Sequence, residues 1–285
     1  MPGEGVPGPE TPTLSNSGRA DLTNRPSVRS TDGRPLRSPG KCRVDDPRPG
    51  PEARNAVDQQ LAADLESGID RLEADDALWI GILQGAGPAF CAGADLKAVA
   101  SGRADLTTER GGFAGIVRRD RTKPIIAAVE GPALAGGFEI VLSCDLVVAG
   151  ADARFGIPEV KRSLIANAGG LIRLPRVLPR NLAMEMALTG EPIDAVTAHR
   201  HGVVNRLVGA GDALECALNL AAEITANAPL AVRASRRVIV DGSLLGDDEA
   251  FALSTEASRG VFQSEDFKEG PLAFIEKRPP KWQGR

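Results

Sequence analysis

The chain predicts an α/β fold in which a parallel sheet is covered by helices, and three observations carry that expectation. Short apolar runs that read as buried strands alternate with stretches of helical periodicity. Glycine-rich turns join strand to helix, and no apolar run approaches the ~20 residues that a membrane helix needs. The 285 residues, 42% hydrophobic and 25% charged, suit one large domain or a core with a small appendage.

Residues 1–50 hold nine of the 21 prolines, with seven glycines and seven arginines. Large apolar residues are too few there to offset the entropy of ordering the segment. It is therefore expected to be disordered, a linker, or a misassigned start belonging to no folded element. From Glu52 the signal changes. Val57, Leu61, Leu65, Ile69 and Leu72 recur at spacings of four, four, four and three, which is one face of an amphipathic helix. LWIGILQG (78–85), KPIIAAVEG (123–131) and LVVAG (146–150) read as buried strands, and residues 113–121 as helical. GPALAGGFEIVLSCD starts with small residues and becomes a short helix. Helical patterns then cover 180–188, 194–200, 212–227, 229–238 and 247–262, interrupted by a short strand, VVNRLV (203–208). The expected division is a core over 51–208 and a helical region over 209–285.

Composition excludes several functions. With 34 basic and 38 acidic residues the net charge is −4, which argues against a general nucleic-acid binder. Cys42, Cys91, Cys144 and Cys216 are far apart, so neither a disulfide framework nor a zinc site is expected, and Cys91 and Cys144 read as inert packed thiols. Only His199 and His201 are present, two apart on an expected helix end, and there is no tyrosine. The opening MPGEGVPGPETP has no targeting pattern, so a cytoplasmic location is expected.

Two small-residue turns, Gly85 to Asp95 and Gly131 to Glu139, each follow a buried strand and precede a helix. Such turns aim backbone N–H groups at the start of a helix, where negative charge is favoured. They could form an anion or oxyanion pocket, or be tight turns alone; neither has phosphate-loop spacing. Glu139 sits among Phe138, Ile140, Val141 and Leu142, and Glu159 follows 20 residues later in FGIPEVK. Two carboxylates sharing an apolar pocket would raise at least one pKa and make a group that trades protons near neutrality. The spacing alone does not distinguish this from a salt-bridged helix residue and an idle loop carboxylate.

Together, FCAGADL (90–96), IIAAVEGPALAGGFEIVLSCDLVVAGADARFGIPEVK (125–161), GG-x-x-RLPR (169–176) and the C-terminal SEDFKEGPLAFIEKRPPKWQGR resemble the crotonase, or enoyl-CoA hydratase/isomerase, superfamily. The resemblance covers about residues 51–285. It implies a crotonase-like spiral of ββα units with a helical C-terminal region that forms trimers, often paired into hexamers. It also implies acyl-CoA thioester chemistry with no cofactor beyond the CoA carried by the substrate. By position, Ala94 and Gly136 match the two backbone N–H donors of the oxyanion hole. Glu139 and Glu159 match the two glutamates that hold and activate water in the hydratases, and their joint presence favours a hydratase or dehydratase. Weaker CoA contacts are implied at Ala53, Arg54, Ala92, Asp95, Leu96 and Lys277, with Arg278 beside the last.

GGFAG (111–115), PEVK and the C-terminal run resemble the carnitinyl-CoA dehydratase branch in particular, which hydrates crotonobetainyl-CoA. A trimethylammonium substrate would favour an aromatic or acidic partner. The family's leading strands are not evident ahead of PEARN, and their loss leaves open a non-catalytic CoA-ester binder. Ser163 stands where glycine is common, and Asp145 is expected to order a helix-to-strand turn.

Overall fold

The computed structural model describes residues 54–95 and 105–285. The expectations for residues 1–50, Ala53 and Leu96 lie outside those residues.

Helix α1 (Gln59–Ala74) starts where the Asp58 carboxylate accepts the Leu61 N–H, and it buries Ala62, Leu65, Ile69 and Leu72. Its end is closed by buried Lys123, whose ammonium donates to the carbonyls of Leu72 and Asp75 at 2.7 and 2.8 Å. Strands β1 (Gly81–Gln84), β4 (Ile125–Val129), β6 (Leu146–Gly150) and β9 (Arg206–Val208) form a parallel sheet in the order β1-β4-β6-β9. Every residue of β4 is buried. Ile125, Ala127 and Val129 face the main core, while Ile126 and Ala128 face Ala213, Ala217, Leu220 and Ala221. That two-sided burial explains why these strands read as unbroken apolar runs.

Strands β5 (Pro132–Leu134), β7 (Arg154–Gly156) and β8 (Ile193–Asp194) form a second sheet, parallel between β5 and β7 and antiparallel between β7 and β8. Bridges between Cys91 and Ala133 and between Val57 and Ala94 carry the ladder outward. The chain therefore spirals: β4, β5 and helix α2 (Gly136–Ser143) make one turn, and β6, β7 and a 3-10 turn (Pro158–Arg162) begin the next. Helices α3 (Gly170–Val177), α4 (Arg180–Thr189) and α5 (Ala195–Arg200) follow.

The helical C-terminal region comprises α6 (Ala213–Thr225), α7 (Pro229–Gly242), α8 (Asp247–Phe262) and α9 (Glu265–Ile275). Asp145 fastens α7 to the core. Its carboxylate accepts the Arg236 Nε–H at 2.8 Å, the Ile125 N–H at 2.8 Å and a guanidinium N–H of Arg121. The residue does more than order its own turn.

One helix expected from the sequence is absent. Residues 107–118 form a two-stranded ribbon, β2 (Thr107–Thr108) and β3 (Gly112–Phe113), followed by turns. Gly112, Ala114 and Gly115 take φ of 65°, 53° and 68°, and a run of left-handed residues breaks helical hydrogen bonding. Strands β5, β7 and β8, and helices α3 and α9, were not legible. The two helices contain Pro175 and Pro271, which read as breakers.

Candidate active site

The two small-residue turns meet. A Cβ placed on Gly93 would lie 3.1 Å from the Gly136 nitrogen, and one on Gly136 would lie 3.5 Å from the Gly93 Cα. Ala94 follows Gly93 directly, so the N–H groups of Ala94 and Gly136 belong to one cradle. Neither donates to an acceptor among the described residues. Gly136 opens α2, and its N–H gains the positive end of that helix dipole. The residue before it, Ala135, is held at φ 52° and ψ −129°, a conformation that ordinarily belongs to glycine. Its N–H donates to the Gly156 carbonyl at 2.9 Å, which fixes the strained turn to β7.

Packing around Gly136 and Gly137 is tight. A Cβ on Gly137 would come within 2.2 Å of the Cys91 carbonyl, and one on Gly136 within 2.5 Å of two ring carbons of Phe113. The Phe113 ring thus lies against the cradle. On the other side, the Asn55 amide donates to the carbonyls of Ala86, Ala89 and Phe90 at 2.8, 2.8 and 3.1 Å, clamping the loop that leads to Ala94.

Glu139 lies one helical turn beyond Gly136 and is only 3% exposed. Its Oε1 accepts the Gly170 N–H at 2.8 Å, and the Ala168 N–H contributes a second bond. Glycine at 170 leaves room for this approach, since a Cβ there would sit 3.0 Å from Oε1. Burial pushes the Glu139 carboxyl up to about 7; the two N–H groups and Arg173 oppose that, and the charge of Glu159 adds to it. Glu159, on the 3-10 turn after β7, is half-buried and likewise raised by burial, against a bond from its own N–H. Its Oε2 is buried without a hydrogen-bond partner among the described residues. The fold therefore brings the carboxylates close enough to feel each other. Ser163 closes the 3-10 turn at φ 55°, which accounts for glycine being suited to that place.

The weaker expectations divide. The Arg54 carbonyl accepts the Ala92 N–H at 3.0 Å and the Asp95 N–H donates to Val57 at 2.9 Å, so Arg54, Ala92 and Asp95 cluster beside the cradle. Lys277 is exposed just beyond α9, whereas Arg278 is bound to Glu269 and Glu276. Cys91 is buried and its thiol is pushed up to about 11, as an inert packed thiol should be. Cys144 is only partly buried. The His199 ring is engaged with the Val204 carbonyl at 2.9 Å. No group of three or more metal-ligating side chains occurs among the described residues. A cavity of about 730 Å³ lies at the opposite end of α2 beside Asp145, and neither glutamate lines it.

Sequence reading missed Asn55, Phe113 and Arg173 as neighbours of this site. All three stood in motifs already noticed: PEARN, GGFAG and GG-x-x-RLPR.

A spiral of ββα units with a helical C-terminal region is the crotonase fold. The chain belongs to the enoyl-CoA hydratase/isomerase family, whose model matches residues 49–285. It is 43% identical over 241 residues to enoyl-CoA hydratase EchA19 of Mycobacterium tuberculosis, covering 82% of this chain and 91% of that one. It is 40% identical over 238 residues to the carnitinyl-CoA dehydratase of Proteus mirabilis, covering 81% and 91%. A crystal structure of a probable enoyl-CoA hydratase/isomerase from Mycobacterium abscessus superposes with a TM-score of 0.78 at 53% identity, covering 83% of this chain and 92% of that one.

Proposed function

We propose that the chain is a hydro-lyase that reversibly adds water, syn, across the double bond of a 2-trans-enoyl-CoA to give the 3-hydroxyacyl-CoA. The observation that carries this reading is the pair Glu139 and Glu159, both raised by burial, with the charge of Glu159 adding to the rise at Glu139. Such a pair holds one proton near neutral pH, so it contains a base and an acid at once. One carboxylate takes a proton from water while the water oxygen bonds to Cβ. The double-bond electrons move toward the thioester oxygen, where the N–H groups of Ala94 and Gly136 receive the charge. The carboxylic acid then delivers its proton to Cα. Losing one such donor typically costs about 3 kcal/mol of transition-state stabilisation. The roles of acid and base belong to the pair rather than to either residue alone.

In this reading CoA enters only with the substrate, contacting the Arg54–Ala92–Asp95 cluster and Lys277. The working form is a homo-trimer or hexamer in the cytoplasm. Loss of conjugated thioester absorbance with crotonyl-CoA tests the reaction directly. Turnover to 3-hydroxybutyryl-CoA is expected, and a folded, acyl-CoA-binding protein that hydrates no enoyl-CoA would leave only the non-catalytic binder.

A second reading, hydration of crotonobetainyl-CoA, is favoured by the Phe113 ring against Gly136, because an aromatic face attracts a quaternary ammonium. A higher kcat/KM for crotonobetainyl-CoA than for crotonyl-CoA would select it.

A further inference from the structure

Residues 105–119 touch helix α1 on one side and the cradle on the other. Phe113 makes the contact with the cradle, its ring tip lying against Gly136. Toward α1, a Cβ on Gly115 would come within 2.8 Å of the Glu66 Cβ, so the segment meets the helix at close range. Polar contacts at its two ends converge on a single carboxylate of α1. Arg110 donates Nη1–H and Nη2–H to the two oxygens of Asp70 at 3.0 and 2.6 Å, and Arg119 donates its Nη2–H to Oδ1 of the same group. One turn earlier, Glu66 accepts the Thr108 hydroxyl at 2.7 Å and lies 3.4 Å from the Arg110 guanidinium. The Thr108 oxygen in turn accepts the Gly111 N–H at 3.0 Å, and the Arg118 N–H closes onto the Gly111 carbonyl at 2.8 Å.

Glu66 and Asp70 stand four residues apart on one face of α1, where two carboxylates would repel each other without the arginines. The inner face of the helix is sunk in the core through Leu65, Ile69 and Leu72, so the anchor is fixed. An exposed ion pair is ordinarily worth little, but a bidentate pair within a network is the exception. Glu66 and Arg119 are also largely shielded from solvent. We infer that Asp70 is a positioning residue that sets acyl-chain selectivity: its carboxylate draws Arg110 and Arg119 together and fixes the backbone from which the Phe113 ring reaches Gly136. The N–H of Gly136 receives the thioester oxygen in the hydratase reading, on which this inference rests. A ring held there occupies space into which an acyl chain would extend. The closed clamp favours short acyl groups, and a released one admits longer chains.

Selectivity can be read without any reaction, because saturated esters bind but are not hydrated. Calorimetry with butyryl-CoA and decanoyl-CoA gives the ratio of their Kd values in the unaltered chain, D70N, D70E, F113A and D70N/F113A. R110A opens the clamp from its half-exposed side and reports should D70N fail to fold. Space for a methylene or more typically discriminates by about tenfold upward, so D70N and F113A should each move the ratio toward decanoyl-CoA by about tenfold. R110A should move it in the same direction. D70E keeps a carboxylate for both arginines and should stay near the unaltered chain. Because Asp70 acts through Phe113, D70N/F113A should move the ratio no further than F113A alone, whereas general loosening would add its own effect. A ratio unmoved in folded D70N and R110A overturns the inference, as do shifts that multiply in the double variant or a D70E that behaves like D70N. Turnover separates the two claims. A shifted ratio in a chain that hydrates no enoyl-CoA upholds Asp70 and rejects the hydratase reading. An unmoved ratio in a chain that hydrates crotonyl-CoA rejects Asp70 alone, and binding of neither ester removes both.

Discussion

A carboxylate that is 3% exposed and is met only by backbone N–H groups is costly to ionise, and Glu139 is such a group. Its folded pKa of about 7 lies above the ordinary 4.5, so between those values the native chain holds a proton that the unfolded chain has released. Stability from this residue is thus complete below 4.5, declines as pH rises through the window, and is gone above 7. Glu139→Gln is expected to stabilise the fold at pH 8 by up to about 3 kcal/mol and to do nothing at pH 4. Thermal melts at the two pH values check this, and an equal effect at both would contradict it. The reason to keep so costly a group is chemical, as active-site carboxyls are raised by burial in order to exchange protons near neutrality.

At the scale of elements, α2 and the turn before it hold the site, and two adjacent glycines there have different duties. In Gly137→Ala the new Cβ would meet the Cys91 carbonyl at 2.2 Å, and a backbone in a bridge with β5 cannot step aside. That change should lower the melting temperature, by roughly 1–3 kcal/mol of stability or more. In Gly136→Ala the obstacle at 2.5 Å is the end of the Phe113 ring, which can turn away. The protein should fold and lose turnover, ~10²-fold if the N–H donor is displaced. Phe113→Ala in the same chain should recover part of that loss; wild-type turnover from Gly136→Ala alone would remove Gly136 from the cradle. Much of this element was legible: the turn AGG before an apolar run announces a helix start, and Glu139 stands out as a charge among Phe138, Ile140 and Val141. The nearness of Glu159 was implied by the family resemblance but not by the spacing alone, because it depends on how β6 and β7 return the chain between two sheets. Arg173 was hidden for a similar reason, as its helix contains Pro175. The helix expected over 113–121 failed because its periodicity was read through Ala114 and Gly115, which take left-handed backbone.

At the scale of the whole molecule, α7, α8 and α9 are among the elements that leave large apolar residues in solvent. Ile239, Phe251, Phe274 and Ile275 are 72%, 74%, 84% and 75% exposed. A single chain gains nothing from such residues, whereas copies packed through this region would bury them. Sedimentation should find a trimer or hexamer, and Phe251→Glu with Ile275→Glu should shift it toward monomer. A monomer from the unaltered chain would contradict that assembly. Strand alternation and the β4 run made the parallel sheet and its two covered faces readable from the sequence. The second sheet escaped because its strands are two or three residues long, too short to show a period.

In the proposed reaction the two glutamates work as one unit. Hydration of crotonyl-CoA should be compared in the unaltered chain, Glu139→Gln, Glu159→Gln and the double variant, with binding of the CoA ester measured alongside. Each single change is expected to cost ~10²–10⁴ in turnover with binding largely kept. The double variant should be little worse than the poorer single one, since either loss already breaks the acid–base pair. Single variants that retain near-normal turnover, or losses that simply multiply in the double, would contradict the pair as the seat of the chemistry.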